Sequence, residues 1–146
     1  MVLPAHGQSR RQSDHSGYTE IRTVPIAEGR FFISEEVWDE LQRKDEPARE
    51  WAESRLQRLV VLTDGDIIDA TRSVLQSHEL LVKNMKGRNR ADPFVIGLAQ
   101  VREAIVVTGE GGDGTATRPK IPYVCEQMGL ECFRFLEVVK AEGWRF

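Results

Sequence analysis

AIVVTGEGGDG, residues 104–114, decides the fold: five apolar or β-branched residues run straight into a turn with four glycines in six positions. Ala104 to Thr108 has the composition of a strand covered on both faces, which reads as a continuous apolar run rather than an alternation. The glycines that follow permit the sharp bend such a strand needs at its end. No helix starts directly after this turn and no lysine follows it directly, so its spacing gives little support to a dinucleotide or P-loop site.

Upstream, FFIS (31–34) is a short aromatic and branched run, and Ser34 is placed to cap a helix with Val37 and Leu41 facing inward. Pro47 suits the first turn of a further helix through Arg58, with Leu59 to Leu62 extended after it. Asp64 or Asp66 then caps a helix whose apolar side holds Ile67, Ile68, Ala70, Val74 and Leu75, and another helix begins near Asp92. Downstream, Arg118 to Pro122 leads into a helix carrying Val124, Cys125 and Met128 that Gly129 stops. Cys132, Phe133 and Phe135 mark a third strand, and Leu136 to Gly143 a last short helix. Apolar strands alternating with helices predict an α/β domain of three layers, a central parallel sheet with helices on both sides.

A chain of 146 residues fits one domain. Residues 1–17 are rich in Ser, Gln, Arg, His and Gly without a hydrophobic period and read as a flexible tail, leaving 18–146 as the domain. Between Tyr18 and Ala27 the type is ambiguous because Pro25 interrupts Ile21, Val24 and Ile26, so regular structure is expected from near Arg30.

The net charge of -3 excludes a protein that coats nucleic acid by overall charge, and any such contact must be local. Arg10 and Arg11 form a twin-arginine pair, but polar residues follow instead of an apolar core, and no run approaches the length of a membrane helix. A cytoplasmic protein without membrane contact is the expectation. Cys125 and Cys132 have neither the spacing nor the histidine of a zinc site and read as buried free thiols. Trp38, Trp51 and Trp144 lie among apolar neighbours and read as packing residues. His6, His15 and His78 have no nucleophile or acid at suggestive spacing.

In an open parallel sheet, ligands gather beyond the carboxyl ends of the strands. Glu40, Asp92, Glu110 and Asp113 fall after strands or at helix starts there. Several carboxylates sharing one cleft repel each other unless a cation neutralises them, and Mg²⁺ or Mn²⁺ prefers oxygen ligands. The plainer reading is that acids at helix starts serve as caps or favourable partners of the helix dipole. Lys83, Lys86, Arg88 and Arg90 fall within eight positions with no acid among them and run into Asp92, where they could hold phosphates. An ordinary solvated loop accounts for them equally well.

The order FFISEEVWDEL, RADPFVIGLA and AIVVTGEGGD resembles PIN-domain proteins, whose best-known members are the VapC-type toxins of bacterial toxin–antitoxin modules. The ending RPKIPYVCEQMGLECFRFLEVVKAEGWRF looks closer to a less-studied PIN-like subfamily with an ADP-F or ADP-W block and a KIP-VC helix. The resemblance implies a PIN-like fold and a metal-dependent endoribonuclease using Mg or Mn. It places Glu40, Asp92 and Asp113 as ligands, Glu110 as a fourth acid or a support behind them, and Ser34 and Thr108 as supporting hydroxyls. RNA, an antitoxin protein and a second copy of the chain are the partners it implies.

One departure stands out. PIN domains open with an apolar strand ending in an Asp that is a central ligand, and no such strand precedes FFIS here. The nearest acid, Asp14, has no apolar run before it and lies only 20 residues before Ser34. The N-terminal strand is therefore expected to be missing or remodelled. Two further readings follow: a catalytically degenerate PIN-like protein that binds RNA or an antitoxin without cutting, and a structural or interaction α/β domain.

Overall fold

A computed structural model describes residues 2–4, 31–43, 47–83 and 90–141. In chain order its elements are β1 (Val2–Pro4), β2 (Ile33–Ser34), α1 (Glu35–Gln42), α2 (Pro47–Glu53), α3 (Leu56–Leu59), β3 (Val60–Val61), α4 (Gly65–Ser77), α5 (Leu80–Lys83), α6 (Asp92–Val101), β4 (Ala104–Thr108), β5 (Gly114–Thr115), β6 (Arg118–Pro119), α7 (Ile121–Met128), β7 (Cys132–Arg134) and α8 (Phe135–Ala141). None of the described helices is long and apolar enough to cross a membrane.

β4 pairs parallel with β7, and β2 pairs parallel with β3. Between these two pairs lies β1, antiparallel to β4 with Val2 opposite Val106 and joined to β2's side by an antiparallel bridge from Val2 to Phe32. The strands therefore run in the order β3, β2, β1, β4, β7, and β2, β3, β4 and β7 share one direction while β1 opposes them. This corrects two expectations: the sheet is mixed rather than wholly parallel, and Val2–Pro4 is a strand where a tail was expected. Val2, which opens this strand, is wholly buried. A hydrophobic period cannot be read from three residues. Asp14 and the rest of 5–30 lie outside the described residues.

Side chains alternate across β4, and the two faces collect separate cores. Val106 joins Val2, Ile67, Val74, Leu98 and Val124 on one face, while Val107 joins Ile33, Leu59 and Val138 on the other, with Trp38 and Leu41 packed against them. Helices thus cover both faces, giving the expected three-layer α/β arrangement.

Local chemistry explains most boundaries. Ser34 Oγ accepts from Val37 N at 3.4 Å and Asp64 Oδ1 from Ile67 N at 3.0 Å, so each caps the helix after it. α7 ends at Gly129, whose φ of +68° lies in the left-handed region. The single helix expected from Pro47 to Arg58 is instead two, parted at Ser54 and Arg55. On α4 the inward residues are Ile67, Thr71 and Val74, whereas Ile68, expected to face inward, is 44% exposed.

Thr71 faces α6 with a buried hydroxyl that has no hydrogen-bond partner among the described residues. A desolvated hydroxyl with no partner costs roughly 1–3 kcal/mol. Thr71→Val keeps the shape and removes that cost, so chemical denaturation should show stability unchanged or raised by about 1 kcal/mol. A loss above about 1 kcal/mol would mean that the hydroxyl is bonded after all.

Candidate functional site

Because β2, β3, β4 and β7 run the same way, their carboxyl ends share one edge of the sheet. The chain order reverses on either side of β1, and open α/β sheets bind ligands at such a reversal, beyond the strand ends. Ser34 closes β2 and Thr108 closes β4 at this edge, and both are buried.

Glu40 lies in the second turn of α1, half-buried, and its Oε1 accepts from Ala91 N at 3.3 Å. Ala91 precedes α6 and has no side chain able to cap it, so a carboxylate from 51 positions earlier takes the place of a local cap. Asp92 follows immediately as the first residue of α6, with its Oδ2 shielded from solvent. Glu40 thus reaches the helix start at which Asp92 is the first residue, where the oriented peptide N–H groups favour negative charge.

The other two predicted acids have different work. Glu110 Oε2 accepts from Ile121 N at 2.8 Å and caps α7, whose own N-cap residue, Lys120, makes no side-chain capping bond. Asp113 is exposed, and its Oδ1 accepts from Arg134 Nη2 at 2.8 Å. Among the described residues no three His, Cys, Asp or Glu side chains gather closely enough to hold a metal ion. The structure brings Glu40 to the residue before Asp92 and, among the described residues, does not gather Glu110 and Asp113 into one cluster with them.

The supporting hydroxyls act on backbone. Ser34 caps α1, and Thr108 Oγ1 accepts from Glu110 N at 3.1 Å, fixing the direction in which the chain leaves β4. The turn after it depends on Gly114, at φ +88°, where a Cβ would stand 2.6 Å from Lys120 N. Of the basic residues, Lys83 is exposed and paired with Glu79, and Arg90 is exposed two residues before Asp92. Lys86 and Arg88 lie outside the described residues.

Sequence reasoning missed four participants: Thr63, Glu35, Glu36 and Arg134. Thr63 donates its N–H to Glu35 Oε2 at 3.1 Å and its hydroxyl to Glu36 Oε1 at 2.7 Å, tying the end of β3 to the start of α1. Two adjacent acids opening a helix were the visible signal, and acids in that position ordinarily serve only as partners of the helix dipole. Arg134, the partner of Asp113, gave no signal at all.

The fold and this edge define an α/β domain with helices on both faces of its sheet and Glu40 reaching the start of α6 where the strand order reverses. The chain belongs to the family described as Domain of unknown function (DUF4411), whose model matches residues 21–146. No curated protein matches the chain, and no solved structure does.

Proposed function

We propose that this chain is a PIN-like domain of toxin type that acts on RNA, with Glu40 and Asp92 as the acids of a metal-dependent endoribonuclease. The observation that carries the reading is the hydrogen bond from Ala91 N to Glu40 Oε1, which sets one carboxylate beside the residue preceding another across 51 positions of sequence. The strand order and the three blocks FFISEEVWDEL, RADPFVIGLA and AIVVTGEGGD support the same reading.

A pair of acids does not fit an all-protein cage. It does fit Mg²⁺ or Mn²⁺, since Mg²⁺ keeps several waters and is commonly held by one or two carboxylates together with substrate phosphates. Glu40 and Asp92 would hold such an ion, which when bound supplies charge neutralisation at phosphate and an acidified water. The chain's own contributions are positional. α1 brings the Glu40 carboxylate to the start of α6, whose first residue is Asp92 and whose N–H groups favour negative charge there. Arg90, with Lys83, Lys86 and Arg88, supplies positive charge for phosphate contact that reads no sequence.

Single-turnover cleavage of RNA in Mn²⁺ tests this. Asp92→Asn and Glu40→Gln should each slow cleavage by roughly 100-fold or more, since removing even residues behind a metal's ligands costs 10–100-fold. Glu40→Gln keeps an oxygen for Ala91 N and so should leave the melting temperature close to wild type. Cleavage that survives both substitutions would sink the assignment.

A second reading is an RNA- or antitoxin-binding PIN-like protein that does not cut. The occupation of Glu110 by Ile121 N and of Asp113 by Arg134 favours it. Salt-dependent RNA binding, without cleavage by wild type at millimolar Mn²⁺, would select this alternative.

A further inference from the structure

We propose that Cys125 and Cys132 form an oxidation site, a dithiol that a peroxide converts to an intramolecular disulfide joining α7 to β7. They are the chain's two cysteines, and both are free thiols. Cys125 is wholly buried in the last turns of α7, and Cys132, half-buried, opens β7 and packs against the same core cluster. The connection between them brings this about. Gly129 turns the chain in the left-handed region and Leu130 N donates to the Cys125 carbonyl at 2.9 Å, so the chain folds back beneath the helix it has just left. Each thiol is the strongest influence on the other's ionisation, and both pack in one core cluster at the junction of α7 and β7.

Their environments are unequal. The hydrogen bond to Cys132, and then burial, push the Cys125 thiol well up, whereas the same bond, received from Cys125, draws the Cys132 thiol down against the opposing effect of burial. Cys132 is thus both the better thiolate and the one that reaches solvent, which is the pattern of an attacking cysteine beside a resolving one.

The chemistry balances without any other group. The Cys132 thiolate attacks one peroxide oxygen, the O–O bond breaks, and the departing hydroxide takes a proton, leaving a sulfenic acid. Cys125 sulfur then attacks Cys132 sulfur and gives up its proton. The S–S bond forms, the S–O bond breaks, and water leaves. Two thiols are oxidised and one hydrogen peroxide is reduced to two waters. The bond would clamp α7 to β7, two residues before Arg134 and its contact with Asp113.

The test uses the full chain with equimolar hydrogen peroxide, trypsin digestion and mass spectrometry. Both cysteines fall in the peptide 121–134, between cleavage after Lys120 and after Arg134. The expected product is that peptide short of two hydrogens, blocked to maleimide and restored by dithiothreitol. Cys132→Ala should leave Cys125 reduced under the same treatment, and Cys125→Ala should stop at sulfenic or sulfinic acid on Cys132. Because Cys125→Ala opens a buried site, its folding is checked by circular dichroism, and Cys132→Ala carries the comparison if it fails. Sulfinic acid on Cys132 in wild type, a disulfide-linked dimer, or an unmodified peptide would each overturn the proposal.

Discussion

Gly97→Ala is expected to destabilise the domain by roughly 1–3 kcal/mol, although alanine is the better helix former by about 1 kcal/mol. Gly97 sits in the middle of α6 where α4 crosses it, and a Cβ there would stand 2.6 Å from Thr71 Oγ1 and 2.9 Å from Thr71 N. The first of these atoms can turn away. The second is backbone, so α4 and α6 would have to move apart, and with them Ile67, Val74, Ile96 and Leu98, all fully buried in one core cluster. Gly97→Val, larger and branched, should do more, about 3 kcal/mol or above, lowering the melting temperature by roughly 10 °C. The double variant Gly97→Ala with Thr71→Ala separates the two contacts. It should recover little, because the backbone clash survives. Full recovery would assign the effect to the hydroxyl and leave the helix spacing uninvolved.

What the sequence made visible follows from how local each feature is. Ser34 and Asp64 cap their helices, Gly129 ends α7, and Ala104–Thr108 is a buried strand, because each depends on atoms within a few residues. Trp38 packs in the core as its apolar neighbours suggested, while the side chain of Trp51 and the whole of Trp144 lie outside the described residues. The break between α2 and α3 was not legible, since nothing in Ser54–Arg55 forbids a helix. The site was legible in part. Acids placed after strands can be picked out from order alone, but whether they converge depends on distant partners. Glu40 reaches Ala91 across 51 positions, and Glu110 is instead drawn to a backbone N–H that opens α7.

The central strand is the least visible element and carries the largest expected effect. Val2→Asp should cost roughly 4 kcal/mol or more, since it places a carboxylate in a wholly buried position within an apolar core cluster. Val2 holds both halves of the sheet: its N–H donates to the Phe32 carbonyl at 2.9 Å, its carbonyl accepts from Phe32 N at 3.2 Å, and its strand pairs with β4 on the other side. If the strand leaves, backbone groups at Phe32 and along β4 lose their partners inside the molecule, which costs stability and offers an edge to another chain. The variant should therefore show a lower and concentration-dependent melting temperature, with larger species in sedimentation velocity. Val2→Ile, apolar and of similar shape, serves as control and should stay close to wild type and monodisperse. The effect should reach the candidate site as well, because β1 spaces β2 from β4 and so sets where α1 and α6 present Glu40 and Asp92. Thermal stability of Val2→Asp equal to wild type, with unchanged sedimentation, would show that residues 2–4 do not seat in the sheet and that β2 and β4 are held together by the helices alone.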